Sequence, residues 1–66
     1  MITDAQVELL RPLVDALLSN GRTIKKHGKH EFPEAWVGVL LLATGIRDSE
    51  FADAALLIQD IAAGRR

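Results

Sequence analysis

Residues 33–45 read PEAWVGVLLLATG, and their conformation decides how the chain folds. Between Glu34 and Thr44 there is no polar side chain, so a helix built from this run is apolar on every face and belongs inside a structure. Three conformations compete for it: buried helix, buried strand and membrane span. The span fails on length, because a bilayer needs about 20 apolar residues, and here Pro33 and Gly45 close the run early. Trp36, Val37, Val39, Leu40, Leu41 and Leu42 have fair strand propensity, and periodicity alone does not assign a short apolar run. The punctuation favours helix. Pro33 suits the first helical position, Glu34 faces the positive end of the dipole, and Gly45 suits the left-handed residue after the last turn.

Upstream, Thr3 and Gln6 have the spacing of a capping box, with Asp4 as a second candidate cap. Asp4, Glu8, Arg11, Asp15 and Ser19 then step by three and four along one face. Val7, Leu10, Val14 and Leu17, flanked by Leu13 and Leu18, fill the opposite one. This predicts an amphipathic helix over 4–20 that Asn20 and Gly21 stop, with a kink or a fresh start at Pro12, where a hydrogen bond is lost. From Arg22 to Phe32 no apolar stripe survives, and the expectation is an ordered basic loop. A hairpin around His27, Gly28 and Lys29, pairing Ile24 with Phe32 and Lys25 with Glu31, is the alternative, although a lone hairpin is marginal.

Downstream, Asp48 or Ser49 caps a third helix over 49–63. Its apolar stripe is Phe51, Ala54, Ala55, Ile58, Ile61 and Ala62, widened by Leu57, and Gly64 ends it. The expected fold is all-α: a single domain of residues 1–66 with three helices, the apolar one central, and a basic loop between the first two.

A chain of 66 residues buries only about 60% of its unfolded surface. Cysteine is absent, so neither disulfides nor thiolate zinc sites reinforce it. Apolar residues make up 48% of the chain, more than three short helices readily enclose, so a partner surface is the expected stabiliser. The start MITDAQVE has no basic segment followed by an apolar run, which makes the cytoplasm the expected location.

The net charge of −1 conceals segregation. Residues 21–30 carry +4 from Arg22, Lys25, Lys26 and Lys29, together with His27 and His30, while the flanking segments are acidic. That cluster offers phosphate binding by counterion release. It lacks interleaved aromatics for base stacking and a basic helix for a groove, so a solvated loop that offsets the acidic helices is the competing reading.

His27, His30, Glu31 and Glu34 have the composition of a zinc shell, but Gly28 and Pro33 keep them off a single helix, and neither metal nor cofactor is expected. The stretch LLLATGIRDSEFADAAL resembles a helix-turn-helix, with Gly45 at the turn and Phe51 and Ala54 at packing positions. Asp48, Ser49, Glu50 and Asp53 would face the groove, and three of these four repel phosphates. Leu41 also stands where the motif usually has a small residue. Two serines, no cysteine and no tyrosine leave little for nucleophilic catalysis. The expectation is therefore a non-enzymatic protein-interaction module, an adaptor, inhibitor or regulatory subunit. It acts as a homodimer or with another protein through Trp36, Leu40, Phe51, Leu57 and Ile58. The alternative is a nucleic-acid-associated regulator using Arg22, Lys25, Lys26, His27, Lys29 and His30.

Overall fold

The computed structural model describes residues 1–66. Helix α1 spans Asp4–Ser19, α2 spans Glu34–Thr44, and α3 spans Phe51–Ala62, entered through a 3₁₀ turn at Asp48–Glu50. The capping box starts α1: Thr3 Oγ1 accepts the Gln6 N–H at 3.1 Å, and Gln6 Oε1 accepts the Thr3 N–H at 2.9 Å. Val7, Leu10, Val14 and Leu17 are its buried residues. Gly45 ends α2 at φ 74°, a conformation that costs little only without a Cβ. The chain turns there so that the Ile46 N–H reaches the Leu41 carbonyl at 3.1 Å and the Ile46 side chain is buried.

Helix α1 stays one helix across Pro12. Pro12 is exposed, as is Glu8, whose carbonyl loses its usual helical donor, so water can satisfy that oxygen. The buried residues Leu10 and Val14 hold the chain on either side. Pro12→Ala is therefore expected to restore the missing bond and stabilise the protein by about 2 kcal/mol, measured by urea denaturation. No gain would mean that the helix has already rearranged to accommodate the proline.

Gln6 Nε2 donates to the Thr44 carbonyl at 3.4 Å, and the Met1 amino group pairs with Glu50 at 3.0 Å. The start of α1 thus lies beside the end of α2 and the start of α3. The hairpin that joins α1 to α2 lies against α3 near Gln59 at the other end, so α1 and α3 run broadly the same way and α2 against both. Eleven buried apolar residues, drawn from the three helices and Ile46, form one core. Thr44 is the buried polar residue, and its hydroxyl donates to the Leu40 carbonyl at 2.8 Å. No helix is long and apolar enough to cross a membrane.

Two expectations are corrected. The chain is 64% helical but not all-α, because the segment expected as a loop forms a two-stranded antiparallel sheet, β1 over Ile24–Lys26 and β2 over Lys29–Glu31. Its register pairs Ile24 with Glu31, Lys25 with His30 and Lys26 with Lys29, one residue away from the hairpin that the sequence suggests. The turn takes only two residues, His27 at φ 51° and Gly28 at φ 77°. Positive φ at both central positions is the requirement of a type I′ turn, whose twist matches that of the strands.

Secondly, α2 is not an enclosed central helix. Val37, Leu40, Leu41 and Thr44 face inward, while Ala35, Val39, Leu42 and Ala43 are exposed. Three helices that each pack on the other two leave every helix an outer side. The one further element, the hairpin, packs on α3.

Candidate functional site

Two surfaces carry chemistry that the core does not use. The first is the hairpin. It sits where α1 stops and α2 begins, and β2 lies against α3. Side chains alternate across a strand, so Lys26 and Lys29 share one face with Ile24 and Glu31, while Lys25 and His30 point the other way. Arg22, Lys25, Lys26, His27 and Lys29 are exposed, and His30 is half-buried with its Nδ1 3.0 Å from the Thr23 hydroxyl. The structure thereby splits the six basic residues of the sequence reading into two groups. Lys26, His27 and Lys29, with Glu31 and Gln59, line an open cleft of about 280 Å³ between the hairpin and α3.

The ion pairs of the chain are Met1 amino to Glu50, Arg11 to Glu8 at 2.7 Å and Arg65 to Asp60 at 2.8 Å. None includes a hairpin lysine. Lys26 and Lys29 stand directly opposite each other, where like charges destabilise a strand pair. No three histidine, aspartate or glutamate side chains are placed to hold a metal ion together. The stretch that resembles a helix-turn-helix forms the end of α2, the Gly45 turn, the 3₁₀ turn and the first half of α3, with Asp48, Ser49 and Asp53 exposed and Glu50 held by the Met1 amino group.

The second surface is apolar. Among the side chains expected at an interface, Leu40, Leu57 and Ile58 are in the core, and Trp36 and Phe51 are half-buried and packed against it. The large apolar side chains left outside the core are different ones: Met1 at the start of the chain, Leu42 at 87% exposure, Leu56, Ile24, Leu9 and Val39. On α2 the positions Ala35, Gly38, Val39 and Leu42 follow the spacing of a single helix face. Sequence reasoning missed Val39, Leu42 and Gln59. No signal was available for either: between Glu34 and Thr44 no polar side chain distinguishes the outer side of α2, and only the packing of α3 on β2 brings Gln59 to the cleft.

No protein-family model, curated protein or solved structure matches the chain. Its function is read from these two surfaces.

Proposed function

We propose that this chain is a non-enzymatic interaction module that pairs with a second copy of itself through the outer face of α2. The pair would then serve an adaptor, inhibitor or regulatory role. The exposure of Leu42, at 87%, carries this reading, because it lies on a helix with no charged residue after Glu34. The chain also exposes 4526 Å², against about 4,100 Å² expected for a compact monomer of its mass.

Self-complementarity of the face selects a second copy as the occupant. Antiparallel pairing about the middle of α2 sets Leu42 on the partner's Ala35 and Val39 on the partner's Gly38, so each large side chain meets a small one. Glu34 and Arg47 are exposed, and neither has an ion-pair partner within the single chain.

Gly38 supports the pairing. A Cβ at this position would meet nothing within 4 Å, so packing inside the chain does not call for a glycine there. Mid-helix glycine costs about 1 kcal/mol relative to alanine. Gly38→Ala is therefore expected to stabilise the monomer while weakening association, because the new methyl group stands where the partner's Val39 must come. Unchanged or tighter association would remove Gly38 from the interface.

The direct test is sedimentation equilibrium over a dilution series. Twice the 7.2 kDa chain mass at high concentration, falling to the single mass on dilution, is the expected result. The single mass throughout would overturn the pairing and turn attention to a different protein as the occupant of α2.

A further inference from the structure

We propose that the cleft between the hairpin and α3 is a phosphate-binding site, with Lys26 and Lys29 as its cationic walls and Gln59 as a neutral donor on the facing helix. This inference is independent of how α2 is covered. It begins with the turn. A two-residue type I′ turn with positive φ at His27 and Gly28 leaves Lys26 and Lys29 no choice but to stand opposite each other on one face. Two ammonium groups held side by side repel unless an anion lies between them, and the chain supplies none to either: Glu31 lines the same cleft without forming an ion pair with either lysine.

Of the rest of the lining, Gln59 and His27 suit an oxyanion, while the Glu31 carboxylate opposes one and is outweighed by the two ammonium groups. No apolar residue lines the cleft, and its residues come from the hairpin and from α3, so a bound anion would bridge two elements. An ammonium group offers three donors that can turn toward oxygen, the Gln59 amide offers two more, and the His27 ring adds a donor at the turn. A phosphate group is small against about 280 Å³. The aromatic residues of the chain are Phe32, Trp36 and Phe51, and none lines the cleft, so the site has no platform for a base. What it recognises is the phosphate itself, free or as the head of a monoester.

The test is a titration of the full ¹⁵N-labelled chain with inorganic phosphate at constant ionic strength, following the backbone amides of residues 24–31 and the side-chain amide of Gln59. Saturable shifts confined to these groups are expected. Lys26→Gln and Lys29→Gln should each weaken binding about tenfold, the effect of losing one charge-assisted hydrogen bond. Lys25→Gln removes the same charge from the opposite face and should leave the affinity unchanged. All three side chains are exposed, so the remainder of each spectrum should superimpose on the parent and exclude unfolding as the cause.

Equal losses in all three variants would reduce the effect to net charge and overturn the site, as would shifts that do not saturate. A parallel titration with O-phosphoserine identifies the source: tighter binding than inorganic phosphate assigns a monoester, weaker binding assigns the free ion, and either supports the site. A single-stranded oligonucleotide that binds, with steep salt dependence, where both small probes fail would replace this proposal with a nucleic-acid backbone.

Discussion

Ile58→Ala is expected to remove about half of the protein's stability. Ile58 has 0% exposure and is among the largest fully buried side chains, with Leu10, Leu41 and Val14. Truncating a buried isoleucine to alanine costs about 2–5 kcal/mol, through lost transfer energy and the cavity left behind. A domain of this length has roughly 3–10 kcal/mol in total. Urea denaturation measures the loss. The control is Leu56→Ala, two residues earlier on α3, where 66% of the side chain is already exposed and the change should stay within about 0.5 kcal/mol. Concentration dependence separates core from interface. A core residue loses the same stability at every protein concentration, whereas an interface residue loses less as the sample is diluted. A loss below about 1 kcal/mol for Ile58→Ala would be incompatible with this packing.

Leu42→Glu should abolish the proposed dimer and leave the monomer folded. Burying one leucine contributes about 1.5–3 kcal/mol, and the two-fold arrangement counts it twice, so the dissociation constant should rise at least about hundredfold. The glutamate adds the cost of placing a carboxylate against the partner's Ala35, where nothing pairs with it. Inside the chain the substitution touches little, since Leu42 is 87% exposed. Circular dichroism should therefore remain helical while sedimentation gives the single mass. The melting temperature of the parent should rise with concentration, and that of the variant should not. A variant that still dimerises would put the contact on another apolar side chain, such as Leu9 or Leu56.

The parts of this fold that were legible in the sequence are those set by local chemistry. Thr3 and Gln6 satisfy each other's backbone groups within one turn, and Gly45 takes a conformation that other residues avoid, so the start of α1 and the end of α2 could be read directly. The sidedness of α2 could not. Leu40 and Leu42 are the same residue type, one inside and one outside, and between Glu34 and Thr44 no polar side chain marks the wet face. On α3 the same ambiguity holds for Leu56 and Leu57. The hairpin register was hidden for a different reason: a two-residue turn needs positive φ at His27, and histidine advertises this far less than asparagine does. The basic cluster was visible in the sequence, but not its division into two faces.

The directions of the helices have an electrical consequence. The starts of α1 and α3, with the 3₁₀ turn, gather Asp4, Asp48, Glu50 and Asp53 at one end of the bundle, offset in part by the Met1 amino group, Arg47 and Arg66, and the hairpin region carries Arg22, Lys25, Lys26 and Lys29 at the other, offset in part by Glu31 and Glu34. With a net charge of only −1, the single chain keeps a dipole component along the helices that a field can orient. An antiparallel two-fold pair cancels that component, and a parallel pair doubles it. Transient electric birefringence on dilute monomer and concentrated dimer would therefore report the relative direction of the two chains, which their mass cannot.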